Sequence, residues 1–257
     1  MEAMPQDLPV MIASQPMSAE SLNLSRAERK LMLGPWYHNF SPLGLETPQR
    51  GGIYPANQKC KQAILFALIE EALRLCRKRG GSLRGVELFC ADGFYGMHAM
   101  RLGAESVRGI DLDKKELARA RLAAKILGWG EKTAFEREDA FKLKGEYDFC
   151  ICAGGLYHLE DPARLLSELA RKIHGPMVVQ TVVSLARTNP DYFETPAPGW
   201  TWGSRFSTGR LRDMVAKAGW DILQSTENEL TGNDRPEDRG SVYLLCLPAS
   251  FAKDTTP

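Results

Sequence analysis

The chain has no excess of charge of either sign: 33 Lys and Arg stand against 32 Asp and Glu, a net charge of +1 over 257 residues. No strong field draws it to nucleic acid or to an anionic membrane surface, which leaves only local basic patches for such partners. No apolar run approaches the roughly 20 residues that a membrane helix requires. The six cysteines are scattered among apolar residues; Cys150 and Cys152 stand one residue apart in YDFCICAGG, and no second pair or histidine cluster lies at metal-ligand spacing. That argues against a zinc centre, and with no signal-peptide pattern it predicts reduced, mostly buried thiols and a cytoplasmic location. Internal repeats are absent too, as is the G-x-G-x-x-G turn that a dinucleotide pyrophosphate needs, which disfavours an NAD-linked reductase.

What is present is alternation. An apolar fraction of 44% suffices for one core. Residues 1–17 read as a disordered tail, 18–81 as an N-terminal helical extension that caps the site, and 82–250 as the main domain. In the extension, SAESLNLSRAERKLML predicts a helix from Ser18, with an imperfect capping box there, and KCKQAILFALIEEALRLCRKR predicts one over 59–79 that stops at the following glycines. Strands are predicted at GVELFC, SVRGIDL, TAFERED, YDFCICAG and PMVVQTVVS, with helices between them. A last helix follows, and two closing strands with no helix between them should pair antiparallel. Such alternation gives a mostly parallel sheet with helices on both faces.

In sheets of this kind a ligand sits outside the carboxyl ends of the central strands. Asp111 ends the second predicted strand and Asp139 the third, where acids serve the ribose and the adenine of a nucleoside. The alternative readings are a helix cap for Asp111, although Asp113 is the better cap, and a turn acid for Asp139. The turn after the first strand is CADGFYG, too poor in glycine for a pyrophosphate.

Taken in order, Glu87, FCADG, GIDLD, REDA and YDFCICAGGLYHLEDP resemble the class I S-adenosylmethionine-dependent methyltransferases. DGFYGMHAMRLGA, GGLYHLEDP and the upstream WYHNF are similar to the branch that holds the tRNA wobble-uridine carboxymethyl-transferases. The resemblance runs from Trp36 to Pro248 and implies a Rossmann-like, seven-stranded, mostly parallel sheet and S-adenosyl-L-methionine as cofactor. By position it implies that Glu87, Phe89, Cys90, Ala91 and Gly93 meet the methionine part, and that Asp111, Leu112, Asp139, Ala140 and Gly154 complete the cofactor site. Phe89 stands where the family usually has glycine, and Ala91 also departs from its pattern. Glycine is needed where φ is positive or a ligand touches backbone; phenylalanine suits neither and is expected to turn its side chain into the sheet.

On the acceptor side, Tyr157 and His158 in GGLYHL and His38 in WYHNF are the candidate catalytic residues. A histidine there either takes a proton from the acceptor or merely orders its turn. PDYFETPAPGWTWGSRFS is too long for a simple connection and is expected to form an aromatic lid. Tyr37, Tyr192, Trp200, Trp202 and Arg205 are the candidate substrate-binding residues. In the tRNA branch a carboxylated cofactor is gripped by a Tyr, a Lys and an Arg; Tyr157 matches by motif, Lys59 and Arg239 only by rough location. NELTGNDRPEDRG reads as a solvated turn. The expected function is methyl transfer to an O, N or C atom of a small or medium-sized acceptor, with no metal. Modification of a tRNA uridine is the alternative within the branch, and a non-catalytic binding partner that keeps the fold is the alternative outside it.

Overall fold

The computed structural model describes residues 16–80, 82–249 and 251. The elements are α1 (Arg26–Met32), α2 (Tyr54–Lys78), β1 (Arg84–Leu88), α3 (Phe94–Arg101), β2 (Ser106–Asp111), α4 (Lys114–Ile126), β3 (Thr133–Arg137), β4 (Phe149–Ala153), α5 (Pro162–Leu169), β5 (Met177–Val183), β6 (Phe193–Glu194), β7 (Arg205–Phe206), α6 (Thr208–Lys217), β8 (Trp220–Glu229), α7 (Pro236–Arg239) and β9 (Gly240–Pro248). Seven strands form one sheet in the order β3-β2-β1-β4-β5-β9-β8. The first five run parallel, while β9 is antiparallel to both β5 and β8. The chain reverses its direction of winding between β1 and β4, which opens a crevice at their carboxyl ends.

The crossover helices start where side chains satisfy their free amides. Asp113 accepts from the amides of Lys115 and Glu116 at the head of α4, Asp161 from Arg164 at α5, and Ser207 from Arg210 at α6. Each such cap contributes about 1 kcal/mol. Gly93 heads α3 with φ +75 and offers no side chain, so the Glu87 carboxylate reaches up from β1 to accept from the Gly96 amide at 2.9 Å.

The N-terminal extension differs from its sequence expectation. The helix expected from Ser18 begins at Arg26, with the capping box at Ser25 and Glu28, because both reciprocal hydrogen bonds form there. Ser18 instead closes a turn with Ser21. Met17 bridges to Leu45, so ordered chain begins inside the tail expected for 1–17; residues 1–15 of that tail lie outside the described residues. Trp36, Phe40 and Phe94 are fully buried and join this extension to the sheet domain in one core. Helix α2 starts at Tyr54, five residues earlier than expected, with Pro55 in its first turn.

The candidate active site

Two cavities open at the carboxyl ends of the strands and share part of one wall. The smaller, about 340 Å³, lies over the tips of β1 and β2. Of the residues expected around a cofactor, Glu87, Phe89, Cys90, Ala91, Asp111, Leu112, Asp139, Ala140 and Gly154 line it. Gly93 does not. A Cβ there would stand 2.6 Å from the Phe135 ring, so its glycine serves the positive φ and the packing of α3 rather than the cavity wall.

The unusual turn is held by its backbone. Phe89 and Ala91 both take left-handed conformations, φ +56 and +47. Phenylalanine therefore occupies the conformation that its side chain disfavours, at a cost of roughly 1 to 3 kcal/mol per residue. Its ring does not simply turn into the sheet as expected; it lies against Gly155 and forms part of the cavity wall. The Ala91 amide donates to Asp111 Oδ2 at 2.9 Å, Cys90 to the Ile110 carbonyl at 3.1 Å, and Gly93 to the Cys90 carbonyl at 2.7 Å. These bonds fix the strained residues from both sides.

The acids of the cavity differ in character. Asp111 accepts from Ala91 through one oxygen and from Asp113 through the other, which leaves a lone pair on each. Asp139 accepts from Phe141 through Oδ1 alone. Glu87 is buried, and burial pushes its carboxyl well above the usual carboxylate range, opposed by the Gly96 amide. Two further wall residues, Tyr95 and Gln180, were not singled out from sequence; the Tyr95 hydroxyl and Gln180 Oε1 are buried without hydrogen-bond partners.

The larger cavity, about 560 Å³, lies beneath the lid. Tyr37, His38, Tyr157, His158, Trp200, Trp202 and Arg205 line it, as the sequence suggested. Tyr192 does not: its hydroxyl donates to Glu194 of the β6–β7 hairpin. Arg205 is on the wall, but its guanidinium is engaged, paired with Asp238 at 2.5 Å and donating to the carbonyls of Tyr157 and Ser204. It braces the site more than it offers itself to a ligand. Trp202 stacks on His158 with centroids 5.2 Å apart, and Trp200 lies 5.0 Å from Trp202. His158 stands at the lip; desolvation and then the Arg205 cation lower its pKa, opposed by the Asp111 carboxylate. Burial pushes the Tyr157 hydroxyl up to about 12.

The segment expected to be a solvated turn closes this cavity. Leu230, Asn233, Asp234, Arg235 and Asp238 line it, and Arg235 donates to the Pro198 carbonyl of the lid at 2.5 Å. Helix α2 supplies the remaining wall through Tyr54, Asn57, Gln58 and Lys61. Lys59 is exposed and Arg239 pairs with Glu229, so neither sits where the loose match placed it. Lys61 lines both cavities, and burial lowers its ammonium to about 8. Tyr37, His38, Lys61, Gly154, His158 and Gln180 form the shared wall.

Residues 86–175 match the methyltransferase-domain family. Over that stretch, about a third of the chain, the sequence is similar to methyltransferase domains. The matched stretch contains the strained turn, Asp111, Asp139 and the GGLYH turn, but neither the lid nor α2. Over 181 residues the chain is 25% identical to the norajmaline N-methyltransferase of Rauvolfia serpentina; the match covers 63% of this chain and 61% of that relative. The magnesium protoporphyrin IX methyltransferase of Synechocystis PCC 6803, solved with bound SAH, superposes with a TM-score of 0.59 at 17% identity over 78% of this chain and 89% of its own. The [4+2]-cyclase SpnF has the same TM-score, 0.59, at 18% identity over 72% of this chain and 80% of its own. At such identities the likeness shows the methyltransferase fold, and the cyclase makes plain that the fold alone does not name a reaction. The tRNA wobble-uridine branch gains no support from these relatives. Among the described residues no cluster of His, Cys, Asp and Glu could hold a metal ion, and no helix is long and apolar enough to cross a membrane.

Proposed function

We propose that this chain transfers a methyl group from S-adenosylmethionine to an O, N or C atom of a small or medium-sized acceptor. The observation that carries the reading is the pair of cavities with a common wall: one lined by the acids suited to a nucleoside, the other by Tyr157, Trp200 and Trp202. About 560 Å³ lies within the ordinary range for a small-molecule site.

The residues fit this cofactor. Asp111 and Asp139 keep free lone pairs for the hydroxyls and amine of the nucleoside. Elsewhere on the cavity wall, the buried carboxyl of Glu87 and the unpartnered polar atoms of Tyr95 and Gln180 call for a ligand that brings charge and hydrogen-bonding groups. When bound, the cofactor supplies a methyl group on a cationic sulfur. The protein's share is to hold an acceptor in line across the common wall and to keep water out. Trp200, Trp202 and the 230–238 turn, tied to the lid by Arg235, do the excluding.

Calorimetric titration with S-adenosylhomocysteine, S-adenosylmethionine and NADH in parallel tests the reading. Micromolar binding of the adenosyl compounds alone is expected, followed by transfer of labelled methyl to members of a small-molecule panel. Absence of adenosyl binding overturns it.

A further inference from the structure

His38 and Asp92 come from distant parts of the chain, the loop after α1 and the turn after β1, and meet at the junction of the cavities. Asp92 is fully buried, and both of its oxygens address His38: Oδ2 accepts from the backbone amide at 2.8 Å, and Oδ1 lies 2.6 Å from Nδ1. Among the described residues no Lys or Arg forms an ion pair with Asp92. A carboxylate only accepts, so Nδ1 carries a hydrogen, and in the neutral ring Nε2 is then the acceptor. The ring is locked by stacking on Phe94, at 4.8 Å and 16°, and by the rings of Tyr37 and Tyr95. It lines both cavities, and Nε2 forms no hydrogen bond among the described residues. Gln180, on the same wall and 1% exposed, has an unpartnered Oε1. The unpartnered Gln180 Oε1 and the Nε2 of a neutral His38 ring suit a ligand that brings hydrogens.

We infer that His38 is a catalytic base positioned by Asp92, and that the acceptor atom bears a hydrogen that must leave, as in an amine, an alcohol or a phenol. The inference rests on the methyltransferase reading. In the step, the proton of the acceptor X–H bond passes to His38 Nε2 while the X–C bond forms and the C–S bond breaks; sulfur keeps that electron pair and becomes neutral. Asp92 balances the imidazolium, which returns its proton to water. The strained turn gains a purpose beyond the cofactor: Ala91, in its left-handed conformation, immediately precedes Asp92 and bonds to Asp111.

The test uses the full chain labelled with ¹⁵N-histidine and saturated with S-adenosylhomocysteine. With four histidines in the sequence, His38→Asn identifies the His38 signals by their loss. Proton-coupled NMR should show His38 as the Nδ1–H tautomer with a bare Nε2, and Asp92→Asn should abolish that preference; if Asp92→Asn fails to fold, the wild-type tautomer decides. An Nε2–H tautomer in the wild type overturns the dyad. In parallel, labelled-methyl transfer to a panel of phenols, alcohols and amines should fall in His38→Asn by roughly a hundred- to ten-thousand-fold in kcat, with KM nearly unchanged. Full kcat in His38→Asn with loss in Lys61→Met would assign the base to Lys61 and overturn the proposal. Failure of S-adenosylhomocysteine to bind the wild type would instead overturn the methyltransferase reading itself.

Discussion

The ring of Phe89 lies against Gly155 so closely that a Cβ on residue 155 would fall 1.8 Å from its Cδ2. A strand tip and the turn after a neighbouring strand are thereby made into one wall, with each residue dictating the other. Gly155→Ala should drive the ring toward the smaller cavity and reduce affinity for S-adenosylhomocysteine at least about tenfold, a cost of ~1.4 kcal/mol. Adding Phe89→Gly should recover most of the loss. Titration calorimetry on the single and double variants measures the coupling, and equal affinity in all of them would show that the ring does not guard the cavity.

Asp111→Ala removes an anchor of the turn as well as the proposed ribose acceptor. Hydrogen bonds to a charged group contribute about 1.5 to 3 kcal/mol each, so cofactor affinity should drop on the order of a hundredfold, with a smaller fall in stability from the freed Ala91 amide. A variant that binds as tightly as the parent would remove Asp111 from the ribose role.

With Glu87 in the proposed cofactor site, cofactor binding should depend on pH. Burial raises the pKa of Glu87, so its proton stabilises the ligand-free fold fully below about 4.5, and that gain is lost as pH rises through the folded pKa. A cationic ligand beside it favours the carboxylate. Between the ordinary carboxylate range and that raised pKa, binding of S-adenosylmethionine should therefore release protons, and affinity should rise with pH. Calorimetry in phosphate and in Tris, whose ionisation enthalpies differ, counts the proton; Glu87→Gln should bring the count to zero.

Trp202→Ala should leave affinity for S-adenosylhomocysteine within about twofold while weakening acceptor binding by roughly tenfold or more, since the indole lines only the larger cavity. Asp238→Asn should act differently. It leaves the buried Arg205 guanidinium without its ion-pair partner, and stability should fall by about 3 kcal/mol in a denaturant melt.

His98 sets an acid limit. Its ring lies flat on Phe66, with centroids 3.5 Å apart, and burial lowers its pKa to about 3. The neutral form is the folded one, so its contribution is complete above 6.5 and declines as pH falls toward 3, by at most about 1.4 kcal/mol per pH unit. His98→Phe should flatten that part of the stability curve.

The sheet was legible because its signals are local. Buried apolar runs such as YDFCICAG, and caps such as Asp113, Asp161 and Ser207, specify their own elements whatever surrounds them. The positions of Asp111 and Asp139 followed from strand ends. The acceptor side was less legible because tertiary contact assembles it. Lys61 and Gln180 look like ordinary helix and strand residues until the fold turns them toward a common cavity. The 230–238 turn is polar like any solvated loop, and only the Arg205–Asp238 pair and the Arg235 bond to the lid make it a wall. Ser18 misled for a related reason: two serine-led starts compete over a few residues, and the one whose glutamate reaches back wins.

The shared wall has a thermodynamic consequence. Since Tyr37, His38, Lys61, Gly154, His158 and Gln180 belong to both cavities, a molecule in one adjusts side chains that the other must meet. Linkage then demands reciprocity: whatever factor the first occupant imposes on the affinity of the second, the second imposes on the first. A demethylated cofactor that lingers would hold its partner in place by the same factor, and turnover would be governed by the order in which the two leave.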